Sequence, residues 1–171
     1  MDVMEAIKSR HSSRNYLSKE IEEGKIALLL EALRLAPGAR VEQNFKVMLV
    51  RDESLREKLA VDSQNQTFIA EAPLVMVMCY NNERIMLCGE PVRPIDCSIA
   101  LTYVLLEAEE LGLSTCWIGA FESEKVRKTL NIPRDYKIFA LLPIGYTETE
   151  GRPTRRKNIE ELVLYDKWEE A

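Results

Sequence analysis

At residues 74–79 the chain reads Leu74-Val75-Met76-Val77-Met78-Cys79, an uninterrupted apolar run directly after Pro73. A strand that is apolar on both sides is typical of an interior position in a sheet with both faces covered. The longest apolar runs, this one included, are far too short to span a bilayer, so no membrane segment is predicted. The run therefore predicts a central, fully buried strand.

Helical and strand patterns alternate on both sides of this run. The predicted helices are an opening helix with Val3, Met4 and Ile7 on one face, helices over residues 22–36, 53–60 and 95–111, and one that Glu122-Ser123-Glu124 opens and Asn131-Ile132-Pro133 ends. The other predicted strands cover residues 45–50, 114–118 and 137–146. Pro37-Gly38 ends the second helix, and Gly112 suits the C-cap of the long helix.

Three of these elements carry more specific expectations. Apolar residues on nearly every side of the 22–36 helix predict that it is deeply buried. Pro143 predicts an edge position or a bulge for the last strand, because proline has no N–H to donate to a ladder. The 95–111 helix has two apolar faces, and its spare face meets either a second subunit or another helix of the same chain.

Length and composition indicate one globular domain. The chain has 171 residues, 46% hydrophobic and 30% charged, with a net charge of −5. We expect a single domain over residues 1–150 and a C-terminal extension over 151–171, whose apolar residues need a surface to pack on. The acidic, helical start Met1-Asp2-Val3-Met4-Glu5 is unlike a secretory signal, so a cytoplasmic location is expected.

The cysteines and the histidine argue against a metal site. Cys79, Cys88, Cys97 and Cys116 are widely spaced and lack CxxC pairing, which favours buried or free thiols. His11 is the only histidine. No metal is therefore expected.

Two basic runs stand out in this acidic chain, Arg10-His11-Ser12-Ser13-Arg14 and Arg155-Arg156-Lys157. Guanidinium groups bind phosphate oxygens through paired charge-assisted hydrogen bonds, so the runs indicate a phosphorylated cofactor. The alternative is solvated surface charge. A nucleic-acid module is disfavoured by the overall acidity and by the lack of aromatic residues interleaved with the arginines.

The order and spacing of several blocks resemble the FMN-dependent nitroreductase family. The blocks are Arg10-His11-Ser12-Ser13-Arg14, residues 36–45, Glu71-Ala72-Pro73, Asp96, residues 111–119, Asn131-Ile132-Pro133, residues 141–145 and Arg156-Lys157. Each block alone is weak, but together they cover nearly the whole chain. The resemblance implies an α+β fold, a three-layer α/β/α sandwich with a mixed, mostly antiparallel central sheet.

The resemblance also implies how the chain holds FMN. Arg10, His11 and Ser12 would bind the phosphate together with Arg155 and Arg156. Arg14 would lie near the pyrimidine edge of the isoalloxazine, where reduction places negative charge. The alternative for Arg14 is a surface ion pair with Glu20 or Glu22.

Further contacts would come from two loops and one strand end. Pro37, Gly38 and Ala39 would supply backbone contacts, and Gln43 would reach the polar edge of the flavin. The remaining residues near the ring would be Asn65, Trp117, Ile118, Gly119 and Ala120. Gly119 suits close approach to a ligand, although a strand-to-helix turn explains it equally well.

The chain departs from the family pattern in two places. Val41 and Asn44 stand where the family loop usually has Asn and Pro, which removes one expected amide contact. The segment between Tyr80 and Asp96 is short, whereas many members of the family have a longer segment here that helps to cover the substrate. An open, undiscriminating pocket is therefore expected.

The function implied is hydride transfer from NAD(P)H through FMN to an electron-poor small molecule, a nitroaromatic, a quinone or a flavin, by a ping-pong mechanism. The cofactor carries the chemistry, so no catalytic side chain is expected. The alternative is a flavin-binding protein without turnover, for storage or regulation. We also expect a homodimer with FMN at the interface and the C-terminal extension on the partner subunit.

Overall fold

The sheet has four strands: β1, Phe45–Val50; β2, Leu74–Tyr80; β3, Ser114–Thr115; and β4, Lys137–Gly145. They lie in the order β1-β2-β4-β3 in the computed structural model, which describes residues 1–151 and 154–168. All three neighbouring pairs are antiparallel, and a single bridge between Ser12 and Thr115 is parallel. Every residue of β2 is buried, so the predicted interior position is confirmed.

The helices are α1, Val3–Ser9; α2, Glu23–Leu35; α3, Glu53–Asp62; α4, Phe68–Glu71; α5, Val92–Glu110; and α6, Ser123–Leu130. Short 3-10 turns occur at Ala39–Val41 and Ile159–Glu161. Among the described residues, no helix has the length and apolar character that a bilayer crossing needs.

The side chains of β2 alternate between two cores. Leu74 and Met76 pack with residues of α2 and α5 on one face of the sheet. Val75 and Val77 pack with residues of α3, α4 and α6 on the other face. The three-layer α/β/α arrangement expected from the sequence is thus confirmed.

Helix α2 is only partly buried, so the expectation of deep burial was wrong. Ile26, Leu29 and Leu33 face the core, whereas Leu28 is 48% exposed and Leu35 61% exposed. Apolar residues on several sides of a helix do not show how many sides a neighbour covers. Here α5 and the sheet cover one face.

Helix α5 begins earlier than predicted, and it ends as predicted. It starts at Val92, two residues before Pro94. A proline is tolerated there because the backbone N–H groups of the first turn have no acceptor within the helix. Beyond the helix, Gly112 adopts φ +69° and Leu113 N–H donates to Ala108 O at 2.7 Å. Gly112 therefore closes the helix as a left-handed cap.

Pro143 lies in an interior strand, so the predicted edge or bulge was wrong. It pairs with Val75 of β2, and its carbonyl accepts hydrogen bonds from Cys116 N–H and the Tyr16 hydroxyl. In antiparallel strands the N and O of one residue point to the same side. The ring nitrogen of Pro143 therefore faces Cys116, and no hydrogen bond to β2 is lost. The irregularity in this ladder lies instead at Met78 and Cys79.

The four cysteines are free, as expected. Cys79, Cys97 and Cys116 are buried, and Cys88 is exposed.

Candidate functional site

The first basic run lies against the sheet edge. Asp2 caps α1 through a capping box with Glu5, and the helix ends at Ser9. The chain then runs extended, and Ser13 N–H donates to Thr115 O at 3.0 Å. This pairing brings the run beside the segment that follows β3.

Arg10, Ser12 and Arg14 belong to the segment that pairs with Thr115, the residue before Cys116. Burial raises the pKa of the Cys116 thiol, and Arg14, a hydrogen bond with Ser12, and Arg10 oppose that rise. Neither arginine forms an ion pair within the described part of the chain. Two unneutralised guanidinium groups and an exposed hydroxyl fit a bound anion.

The alternative for Arg14, an ion pair with Glu20 or Glu22, is not found in the structure. Glu22 instead accepts a hydrogen bond from the Tyr146 hydroxyl and lies 4.0 Å from the Lys19 and Lys25 ammonium groups.

His11 points away from this cluster. Its ring packs against Gly151, where an added Cβ would lie 2.7 Å from ring atoms. The neighbouring cleft of about 240 Å³ is lined by Glu109, Glu148 and Glu150. Nε2 is buried with no partner among the described residues. Three carboxylates disfavour a phosphate in this cleft, so Arg10 and Ser12 fit the anion better than His11 does.

The stretch Trp117-Ile118-Gly119-Ala120 is anchored on β4. Ile118 exchanges two backbone hydrogen bonds with Leu141, and the Trp117 ring meets Phe139 edge-on at 5.6 Å. Gly119 and Ala120 are exposed beyond these anchors. Gly119 has no positive φ, and an added Cβ would meet nothing within 4 Å. Neither backbone conformation nor packing in the described chain requires glycine at this position.

Asn65 lies in the turn between α3 and α4, next to this stretch. Gln64 and Asn65 adopt left-handed conformations, φ 59° and 57°. The following residue, Gln66, donates its side-chain amide to Ala120 O at 3.1 Å and to Ser63 O at 2.9 Å. The contact to Ala120 is therefore made by Gln66, which the sequence showed only as part of a polar loop.

The predicted loop of Pro37, Gly38 and Ala39 lies against Asp96 of α5. Ala39 N–H donates to Asp96 Oδ1 at 2.8 Å, and an added Cβ on Gly38 would lie 3.1 Å from the same oxygen. Gln43 donates its side-chain amide to Arg34 O at 2.7 Å. Glycine at position 38 is therefore explained by close approach, since its φ of −160° is ordinary extended backbone.

Under this loop lies an ion network centred on a buried arginine, which the sequence did not predict. Arg93 is 2% exposed and pairs with both Glu42 and Asp96, while Arg84 pairs with Glu42 at 2.6 Å. The i, i+3 spacing of Arg93 and Asp96 at a helix start was the only available signal. Nothing in the sequence links them to Glu42.

We call Arg10, Ser12, Arg14 and residues 116–120 the opening cluster, and residues 37–43 with Asp96 the loop cluster. No hydrogen bond or ion pair among residues 1–151 and 154–168 joins the two. Arg155 and Arg156 are exposed in the extension. Residues 152–153 and 169–171 of that extension lie outside the described residues.

Sequence comparisons identify the relatives of this chain. The family model described as "Putative TM nitroreductase" matches residues 2–171. A protein of Methanothermobacter thermautotrophicus named "Putative NADH dehydrogenase/NAD(P)H nitroreductase" is 31% identical over 172 residues, which cover 98% of this chain and 88% of that protein.

Two solved structures from Clostridium difficile share the fold. A nitroreductase family protein from strain 630 has a TM-score of 0.87 at 25% identity, with 98% of this chain and 100% of that chain covered. An FMN-dependent nitroreductase from strain R20291 has a TM-score of 0.80 at 26% identity, with 96% and 99% covered.

Proposed function

Because the chain belongs to the nitroreductase family, we propose that it passes electrons from NAD(P)H through FMN to an electron-poor acceptor such as a nitroaromatic, a quinone or a flavin. It is an NAD(P)H-dependent nitroreductase-like oxidoreductase, and its cofactor is FMN. The observation that carries the proposal is the pairing of Ser12 and Ser13 with Thr115, which sets Arg10 and Arg14 beside the end of β3 with no ion-pair partner in the described chain.

Bound FMN would supply the redox chemistry, taking a hydride from NAD(P)H and returning the electrons to an acceptor in a ping-pong cycle. Arg10 and Ser12 would hold the phosphate, with Arg155 and Arg156 as further donors, whereas His11 faces the cleft lined by carboxylates. We assign Arg14 to the pyrimidine edge, where a fixed cation offsets negative charge.

The exposed backbone of Gly119 would lie against the ring, because no side chain stands in the way. Its neighbours Trp117, Ile118 and Ala120 would line the same side. Asn65 would reach the ring from the α3–α4 turn, since Gln66 ties that turn to Ala120.

We further propose a homodimer that forms the site between subunits. Among the described residues, no hydrogen bond or ion pair joins the loop cluster, with Pro37, Gly38, Ala39 and Gln43, to the opening cluster of the same chain. In the proposed dimer, the loop cluster of one copy completes the site with the opening cluster of the other. The exposed apolar residues support this, namely Val3 (70%), Ile7 (50%), Leu35 (61%), Tyr103 (41%), Ile159 (63%), Leu162 (63%) and Trp168 (80%).

The extension over residues 151–171 packs on the partner in this arrangement, beyond the single domain of residues 1–150. Leu162 and Trp168 of the extension are left largely exposed on their own subunit. Four free thiols are typical of a reducing compartment, so we place the dimer in the cytoplasm.

Rapid mixing of the FMN-loaded protein with NADH or NADPH under anaerobic conditions tests this function. We expect the visible flavin band to bleach, and to return when a nitroaromatic or a quinone is added to the reduced protein. Parallel double-reciprocal plots in steady state would support the ping-pong order. A protein that binds FMN and is not bleached by either nucleotide would be a storage or regulatory protein.

A further inference from the structure

We propose that the buried guanidinium of Arg93 is the positioning residue of the flavin-binding loop. By binding Glu42 and Asp96 together, it fixes residues 38–43 in the conformation that receives the cofactor. This inference rests on the proposed function, because the assignment of the loop to the flavin comes from it.

Arg93 is held on three sides. Nη2 pairs with Glu42 Oε2, Nη1 lies 3.4 Å from Asp96 Oδ2, and Nε donates to Asn82 O at 3.1 Å. The side chains of Asp96 and Glu42 are 5% and 28% exposed. A buried guanidinium is costly unless its partners stay in place, so such a network selects one arrangement of the groups around it.

The two carboxylates hold opposite ends of the loop. Asp96 Oδ1 accepts the Ala39 N–H at the start of the loop, while Oδ2 faces Arg93. Glu42, near the end of the loop, divides its oxygens between Arg93 and Arg84. Two arginines balance two carboxylates, so the network is neutral.

The loop needs this support because its backbone is strained. Arg40, Val41 and Gln43 all have positive φ, 59°, 53° and 47°. A β-branched residue such as Val41 rarely adopts this conformation, and strained residues persist only where the surroundings determine them. Val41 is 67% exposed, so its own packing contributes little. Its N–H donates to Gly38 O at 3.2 Å within the loop.

A loop that is held ready binds its ligand without first being ordered. If the network is weakened, only a fraction of the molecules present the competent loop, and the apparent Kd rises by the reciprocal of that fraction. The loss should appear in association, because the competent state becomes scarce before binding. It should also be visible in the loop of the protein without FMN.

Glu42→Gln and Arg93→Lys test the proposal, with Glu23→Gln as the matched control. Glu23 is also a glutamate paired with an arginine, Arg51, but the pair is exposed and lies outside the network. Glu42 lies at the more exposed side of the network, so Glu42→Gln should fold even if Arg93→Lys does not. Hydrogen exchange of residues 38–44 in the FMN-free protein and the kinetics of FMN binding are the two readouts.

We expect Glu42→Gln to speed exchange in residues 38–44 about ten-fold, with β2 unchanged, and to raise the FMN Kd about ten-fold through slower association. Arg93→Lys, which can reach one carboxylate at a time, should act in the same direction. Glu23→Gln should change neither readout.

Unchanged loop exchange and unchanged Kd in both network variants would overturn the proposal. Faster exchange throughout the chain would also overturn it, because that would show a general stabilising role. If the unmodified protein binds no FMN, the proposed function fails, while loop exchange still decides whether Arg93 positions the loop.

Discussion

Ser13 N–H donates a backbone hydrogen bond of 3.0 Å to the carbonyl of Thr115, although the two lie 102 residues apart in sequence. This bond sets the first basic run alongside the residues that follow β3. Arg10 and Arg14 stand three residues before and one residue after Ser13, so the bond anchors both near the end of β3. The two arginines can then serve different parts of one cofactor.

Arg10→Ala and Arg14→Ala should therefore have different effects. Loss of a charge-assisted phosphate contact at Arg10 should weaken FMN binding by about 1.5–3 kcal/mol. Arg14→Ala should mainly slow flavin reduction by NAD(P)H, because a cation at the pyrimidine edge acts as charge develops. Fluorescence titration and stopped-flow reduction separate the two effects, with the exposed Arg134→Ala as control. Equal effects of both substitutions on binding and rate would show that the roles are misassigned.

Gly119→Ala should leave the free energy of unfolding of the FMN-free protein almost unchanged. An added Cβ meets no atom within 4 Å, and the backbone has no positive φ. With FMN, we expect weaker binding or slower reduction, because the methyl group would lie against the ring. Urea unfolding and FMN titration measure the two quantities. If FMN binds and is reduced as in the unmodified protein, Gly119 does not approach the flavin.

Truncation after Glu150 should abolish dimerisation and weaken FMN binding. It removes the exposed apolar residues Leu162 and Trp168, and it also removes Arg156. Burial of a Leu-sized side chain contributes about 1.5–3 kcal/mol, so these residues favour docking on the partner. Light scattering after gel filtration reports the mass, and Arg156→Ala in the full chain isolates the effect of the charge. A truncated chain that stays dimeric and keeps FMN would rule out the exchanged extension.

Stability should fall at alkaline pH because of the buried thiols. Burial raises the pKa of Cys79 to about 11 and that of Cys97 to about 12. Unfolded thiols ionise near pH 8.5, so above that pH the unfolded chain binds fewer protons than the native one. The free energy of unfolding should then fall by up to about 1.4 kcal/mol per pH unit for each thiol. Urea unfolding between about pH 8 and pH 10 should show that the free energy of unfolding falls less steeply with pH in Cys97→Ala than in the unmodified protein. Equal slopes in the two proteins would show that Cys97 does not cause the decline.

The parts of the fold that local chemistry determines could be predicted from the sequence. The continuous apolar run at Leu74 predicted a strand buried on both faces, and Gly112 predicted the end of α5. The predictions were wrong where a residue's surroundings depend on a segment that is distant in sequence. The helix over residues 22–36 was expected to be deeply buried, but Leu28 and Leu35 are exposed, because hydrophobicity does not indicate which face of a helix is covered. Pro143 was misplaced because the side to which its nitrogen points depends on strand pairing.

In the candidate site, too, only the features that depend on local sequence could be predicted. The basic run with Arg10 and Arg14 was visible as a charge pattern in an acidic chain. The direction of His11 was not, because it depends on where Gly151 and the neighbouring carboxylates lie. The network of Arg93, Glu42 and Asp96 was hidden for a similar reason. A buried ion pair between distant residues leaves no periodic pattern in a sequence.

The identity and stoichiometry of the bound flavin test the central claim most directly. Protein reconstituted with a mixture of FMN and FAD, separated from free flavin and then heat-denatured, should release one FMN per chain on chromatography. In the proposed site the two basic runs would bind a terminal phosphate, and nothing in the sequence resembles an adenine pocket. Release of FAD alone, or of no flavin, would contradict the account.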